Sequence, residues 1–132
     1  MILSLAPQRR DAAIRVLPPE DLSRLSCHPD PVIRQVLTRA EYLTVAILVP
    51  LILDADKEVS FMAIKRLIFE LTNNQHTYVA LRDVPILLII HAVVRIRSFF
   101  SSLSEDDPLR TERIQFELVA NELEALVRGS VR

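Results

Sequence analysis

The chain contains almost no glycine, with one among 132 residues. Sheets joined by tight turns usually need several glycines, because these turns require positive φ angles. Helices benefit from the scarcity, since each glycine in a helix interior costs about 1 kcal/mol relative to alanine. One glycine also cannot build the glycine-rich loop that binds nucleotide phosphates. The composition therefore favours an all-α protein and disfavours an enzyme with a phosphate-binding loop.

Cysteine is equally scarce, because Cys27 is alone. It has no partner for a disulfide within the chain, so a reducing compartment is its natural setting. The apolar residues 1–6 precede Arg9 and Arg10, which reverses the order found in secretory signals. These features predict an intracellular protein, either cytoplasmic or nuclear.

Long apolar runs and a strong net charge are also missing. The uncharged stretches 42–53 and 84–94 are shorter than the ~18–20 residues of a membrane span, so we expect buried helices there and no membrane. The formal net charge of −1 argues against a general nucleic-acid binder, which needs a basic excess. Nucleic-acid association remains an alternative only through a local basic patch. Its members would be Lys65, Arg66, Arg95 and Arg97.

Hydrophobic residues are abundant, at 50% of the chain, and they follow the helical period. Phe61, Ile64, Ile68 and Leu71 form one apolar stripe at helical spacing. The predicted helices cover residues 7–17, a short segment from 19, 30–48, 57–71, 75–82, 84–98 and 109–128. The helix at 84–98 is apolar nearly all round, which predicts that it is sandwiched between neighbouring helices.

These helices predict a single helical repeat domain over residues 1–132. Residues 1–29 form N-terminal helices, 30–100 form a repeat core, 101–108 are a polar linker, and 109–128 form a capping helix. The last helix has one apolar face, as the terminal cap of a stack requires.

Two internal similarities indicate repeated units. Residues 49–53, Val-Pro-Leu-Ile-Leu, recur at 84–88 as Val-Pro-Ile-Leu-Leu, which is 35 residues later. Residues 30–32, Asp-Pro-Val, resemble 57–59, Lys-Glu-Val, at an offset of 27. Both offsets lie in the range of about 20–50 residues that is typical of stacked repeats. Because the two offsets differ, the predicted repeat is irregular.

Residues 57–97 resemble one armadillo repeat. Ala63 and Leu67 match the small-then-large pair of its first helix, and Asn73-Asn74 match the turn that follows. Residues 75–82 match its short second helix, and Val84-Pro85 with Leu87 and Leu88 match the start of its long third helix.

Residues 30–34, Asp-Pro-Val-Ile-Arg, are similar to the beginning of a HEAT-type helix. Together the matches cover about one and a half irregular repeats over residues 30–97. The resemblance implies a short right-handed α-solenoid whose role is binding rather than catalysis. The third helix lacks the asparagine and tryptophan with which groove-binding armadillo proteins hold extended peptides, so we do not expect such a groove.

We therefore expect a non-catalytic scaffold or adaptor that docks a helix or segment of another protein, or a second copy of itself. No cofactor and no small-molecule substrate are expected. The chain has more apolar residues than a small two-layer solenoid easily buries, and tight interfaces combine apolar anchors with a charged rim. The alternative is that all of these residues pack inside. The predicted partner-binding strip comprises Ile86, Ile89, Ile90, Val93, Phe99 and Phe100, with Arg95 and Arg97 at its rim.

A second class of function, a small helical metal-binding or enzymatic regulator, would use Cys27, His28 and His91. Adjacent residues of a chain point apart, and no second cysteine completes a zinc set. We therefore predict no catalytic residue and no metal ligand, and keep the regulator as an alternative.

Overall fold

The computed structural model describes residues 2–102 and 110–130. Over these two stretches every regular element is helical, which confirms the all-α prediction for the described part of the chain. A short 3-10 turn at Ile2–Ser4 precedes the α-helices. They are α1 (Pro7–Ile14), α2 (Pro19–Leu25), α3 (Pro31–Leu37), α4 (Val45–Ile52), α5 (Lys57–Asn73), α6 (His76–Leu81), α7 (Ile86–Ser102) and α8 (Arg110–Ser130).

Proline and aspartate define where several helices begin. A proline occupies the first position of α1, α2 and α3, where its missing N–H breaks no helical hydrogen bond. The Asp30 carboxylate accepts a hydrogen bond from the Val32 N–H at 2.9 Å, and the Asp56 carboxylate accepts one from the Val59 N–H at 3.0 Å. Such caps satisfy amide groups that lack a partner inside the helix.

The single helix predicted over residues 30–48 is wrong, because the chain forms α3 and α4 with a turn between them. The Thr38 hydroxyl donates back to the Gln35 carbonyl at 2.6 Å, where α3 ends. The Glu41 N–H donates to the Arg15 carbonyl after α1 at 2.8 Å. This long-range bond holds the turn, and no local pattern reveals it. Pro50 lies inside α4, which continues to Ile52.

Several helices contact both the next helix in the chain and a helix further along it. α3 contacts α1, α2 and α5, while α4 contacts α5, α6 and α7. α8 contacts α7 and α5. The buried apolar side chains of these helices form one continuous core, to which α8 contributes Phe116, Val119, Ala120 and Leu123. The sequence predicts an apolar face on the last helix from Phe116, Val119, Ala120, Leu123, Leu126 and Val127, and these four residues belong to it.

α7 packs against both α4 and α8, as the sequence predicts, but one side of it remains exposed. α7 buries Ile89, Ala92, Val93 and Ile96, while its opposite face is exposed. No other described helix covers that face. Ser101 and Ser102 of the predicted linker belong to α7, and the rest of that linker, 103–108, lies outside the described residues.

Candidate functional site

Four apolar side chains on the outer face of α7 are exposed to solvent. The exposed fractions are 70% for Leu87, 63% for Val94, 40% for Ile86 and 39% for Ile90. At about 100° per residue, these positions fall within an arc of roughly 100° along two and a half turns. We call this surface the α7 stripe, and it consists of Ile86, Leu87, Ile90 and Val94.

The predicted partner-binding strip divides between the two faces of α7. Ile86 and Ile90 are exposed, whereas Ile89 and Val93 are buried at 4% and 6% exposure and belong to the core. Positions 89 and 93 are buried because they lie on the side of α7 that faces the core, together with Ala92. Sequence reasoning missed the two most exposed members of the stripe, Leu87 and Val94.

Phe99 is also part of the packing rather than a free anchor. Its ring lies edge-on to Phe61 of α5, with 6.0 Å between the centroids. The guanidinium carbon of Arg95 lies 5.5 Å from the centre of the Phe99 ring. The side chain of Phe100 lies outside those described.

Arg95 connects α7 to the end of α4 and the start of α5. Its Nη2 donates to the Asp54 carbonyl at 2.8 Å, and its Nε donates to the Ser60 hydroxyl at 3.3 Å. The Ser60 hydroxyl in turn donates to the Ile52 carbonyl. Arg95 is therefore partly buried and structural, in contrast to the rim position predicted for it.

Arg97 lies at the contact between α7 and α8. It forms an ion pair with Glu124 and donates a hydrogen bond to the Asn121 side chain at 3.3 Å. Glu124 also pairs with Arg128 at 2.7 Å. The hydrogen bond from Arg97 and the two positive charges hold the pKa of Glu124 below its ordinary value. Arg97 is exposed, but its charge is already engaged.

The four cations of the predicted basic patch make separate interactions. Arg66 pairs with Glu70 at 2.8 Å and donates to the Thr38 carbonyl at 3.1 Å. The Lys65 ammonium lies 5.7 Å from the centre of the Phe61 ring. Arg95 connects α7 to the end of α4 and the start of α5, and Arg97 connects α7 to α8. Arg66, Arg95 and Arg97 therefore stabilise the packing of the chain instead of forming one basic patch.

The candidate metal residues are not assembled into a site. Cys27 is exposed after α2, and the Nδ1 atom of His28 accepts the Asp30 N–H at 3.0 Å. His91 lies on the exposed side of α7. Within the described stretches, no three or more histidine, cysteine, aspartate or glutamate side chains are placed to share a metal ion.

Two larger surface grooves lie along α5. One of about 520 Å³ lies between the end of α3 and α5, and its lining includes Arg39, Phe61, Met62 and Lys65. The other, of about 330 Å³, lies between α5 and α8, where the Tyr78 hydroxyl donates to Glu122. This hydrogen bond, then burial and the carboxylate charge, raise the pKa of Tyr78 to about 12. Neither lining contains a cysteine or histidine to act as nucleophile or base.

None of the helices over residues 2–102 and 110–130 combines the length and apolar character that a membrane crossing requires. No protein-family model matches the chain, and neither a curated protein nor a solved structure matches it. The candidate site is therefore defined by geometry alone, and the α7 stripe is its main feature.

Proposed function

We propose that this chain is a non-catalytic interaction module that docks an amphipathic helix of another protein on the α7 stripe. The observation that carries the proposal is the row of four exposed apolar side chains on one helix face. Full burial of Leu87 or Val94 by a partner would contribute about 1.5–3 kcal/mol each. Isolated exposed apolar residues are common on surfaces, whereas aligned ones are typical of docking sites.

A helix suits this surface better than an extended segment. The stripe is straight and has the three- and four-residue spacing with which two helices interlock their side chains. The side of α7 beyond its contact with α8 carries no helix of the described chain. An incoming helix would pack there much as α7 packs on α4.

The same reasoning extends to the repeat architecture, which we propose as a short right-handed solenoid of armadillo- and HEAT-like units. In this assignment α5, α6 and α7 are the three helices of one unit, and α3 and α4 belong to the unit before it. The contacts between α3 and α5, and between α4 and α7, support this assignment. In solenoids, equivalent helices of successive units lie side by side. A docked helix would then continue the layer formed by α4 and α7.

The proposal is tested by site-specific photo-crosslinking in living cells. A photoreactive amino acid replaces His91, which borders the stripe without belonging to it. Mass spectrometry identifies the attached peptide. We expect it to come from another protein and to carry apolar residues at helical spacing. The matched control carries the photoreactive group at Gln8, which is exposed on α1.

A second arm adds Leu87→Asp and Val94→Asp to the crosslinking protein. Both side chains are exposed, so folding stability should change by about 0.5 kcal/mol or less each, while the crosslink should be lost. An undiminished crosslink in this variant contradicts docking on the stripe. A crosslink that joins only two copies of this chain would show that the stripe is a homodimer interface.

A further inference from the structure

A small groove of about 230 Å³ lies where the start of α5 meets the C-terminal half of α7. Its lining consists of Ala55, Lys57, Arg95, Ser98 and Phe99. Ser98 is an exposed residue of α7, and Lys57 is an exposed residue at the first position of α5. No residue of the α7 stripe lines this groove.

Arg95 is held in an orientation that leaves part of its guanidinium uncommitted. Its hydrogen bonds to Asp54 and Ser60 use Nη2 and Nε, and the Phe99 ring lies against the group. A guanidinium carries five N–H donors in a planar fork, which suits the oxygens of a phosphate. Lys57 forms no ion pair with a described residue, and its ammonium is a second donor on the groove. The groove therefore offers two cations beside one hydroxyl.

The residues before Ser98 give the same serine a basic context. Arg95 and Arg97 stand three and one positions before it in the chain. Patterns of charge around the acceptor residue are what kinases use to select substrates. The fold and the sequence thus both place basic side chains near Ser98, and Arg95 belongs to both arrangements.

We propose that Ser98 is a phosphorylation site whose phosphate is bound by Lys57 and Arg95. In the reaction, the Ser98 Oγ attacks the γ-phosphorus of ATP bound to an arginine-directed kinase. The bond from that phosphorus to the bridging oxygen breaks, ADP leaves, and the hydroxyl proton passes to the base of the kinase. This inference does not depend on the docking function of the α7 stripe.

The phosphate would join α7 to the first turn of α5. It carries a charge of about −1.5 to −2 at neutral pH and three acceptor oxygens. The nearby carboxylates are already engaged, since Asp54 is paired with Arg34 and Asp56 caps α5. The carbonyl end of a helix disfavours negative charge, so a phosphate here needs the two cations.

Ser101 provides the contrast, because it lies one turn further along α7 and does not line the groove. Its hydroxyl is exposed and donates to the Arg97 carbonyl at 3.0 Å. A phosphate at Ser101 would meet the helix end without Lys57 and Arg95.

The binding of the phosphate is tested with phosphoserine encoded genetically at position 98 or at position 101 of the full chain. We expect the protein phosphorylated at Ser98 to melt about 3 °C or more above the one phosphorylated at Ser101. Adding Lys57→Gln should remove most of this difference. Equal melting temperatures, or a difference that Lys57→Gln leaves intact, would overturn the assignment of the groove.

The modification itself is tested with a purified arginine-directed kinase and ATP. Peptide mass spectrometry should find phosphate on Ser98 in the unmodified chain and in Ser101→Ala. The phosphate at this position should be absent in Ser98→Ala. Phosphate found only on other serines, or on none, would overturn the assignment of Ser98 as an acceptor.

Discussion

The ion pair between Arg34 and Asp54 is the most buried charge pair among the described residues. The Asp54 oxygens accept from Nε at 2.8 Å and from Nη2 at 3.1 Å, a two-bond geometry that fixes both groups. The side chains are 15% and 9% exposed. Arg34 also donates to the His28 carbonyl, and Asp54 accepts the Asp56 N–H. The pair therefore holds the loop after α2 and the turn before α5 in place.

We predict that Asp54→Ala lowers the free energy of unfolding by about 3–5 kcal/mol, because it leaves the Arg34 guanidinium largely buried and without its partner. Urea denaturation followed by circular dichroism measures the change. The matched control is Asp21→Ala, which removes an exposed pair with Arg24 at 3.8 Å and should cost no more than about 1 kcal/mol. A similar small loss in both variants would show that the Asp54 pair is not structural.

The raised pKa of Tyr78 predicts that the stability of the fold depends on pH in the alkaline range. Its hydrogen bond to Glu122 favours the neutral phenol, and the pKa is raised to about 12. In the unfolded chain tyrosine ionises near pH 10, so the unfolded state loses its proton first as pH rises. The stability that this group contributes is therefore complete below about pH 10 and is lost as pH rises through about 12.

The measurement is a titration of tyrosinate absorbance in the folded protein. Glu122→Gln keeps an acceptor but removes the charge, and it should lower the pKa of Tyr78 toward the ordinary value. Tyr78→Phe identifies the signal by removing it. If the last tyrosine to ionise were unaffected by Glu122→Gln, the assigned pairing would be wrong.

The beginning of α5 makes a prediction for a whole element. Asp56 caps this 17-residue helix through the Val59 N–H. Asp56→Ala should cost about 0.5–2 kcal/mol, whereas Asp56→Asn should cost less because its side-chain oxygen still accepts that bond. Thermal unfolding compares the two variants. Equal losses would mean that charge, rather than the hydrogen bond, supports the helix start.

Most helices could be predicted from the sequence because their boundaries have local causes. Prolines and Asp30 begin helices where expected, and 57–71 differs from the observed α5 only at its C-terminal end. The break after α3 could not be predicted, because a hydrogen bond between Glu41 and Arg15 holds it. The local sequence indicates only helix propensity, and here a hydrogen bond between residues distant in sequence overrides it.

The candidate site was only half predictable for a related reason. The N-terminal half of α7 is apolar on nearly every side, so composition does not show which face is inward. Hydrophobicity could not separate exposed Leu87 from buried Ile89, and only the packing partners decide. The roles of Arg95 and Phe99 were hidden likewise, since their partners Asp54 and Phe61 are more than 30 positions away in sequence.

On the scale of the whole molecule, three aromatic rings connect helices that are distant in sequence. Phe61 of α5 lies 6.0 Å from Phe99 of α7 and 5.4 Å from Phe116 of α8. Phe116 is fully buried. Tyr78 of α6 adds a bond to Glu122 of α8. The last described helix is therefore joined to α5, α6 and α7 through both apolar and polar contacts.

These contacts predict that α8 unfolds together with the rest of the described helices. Phe116→Ala should lower the free energy of unfolding by about 3–5 kcal/mol, because it removes a buried ring and leaves a cavity between α5 and α8. Circular dichroism reports all helices, while tyrosine fluorescence in a Tyr42→Phe background reports the environment of Tyr78 beside α8. In a cooperative transition both signals have the same midpoint, before and after the substitution.

Leu118→Ala is the control, since Leu118 lies on the same helix but is exposed and should change stability by about 0.5 kcal/mol or less. Two separated midpoints would show that α8 detaches first. In that case Phe116→Ala would move only the earlier transition. α8 would then unfold independently of the core, and it would not belong to the cooperative unit that includes α7.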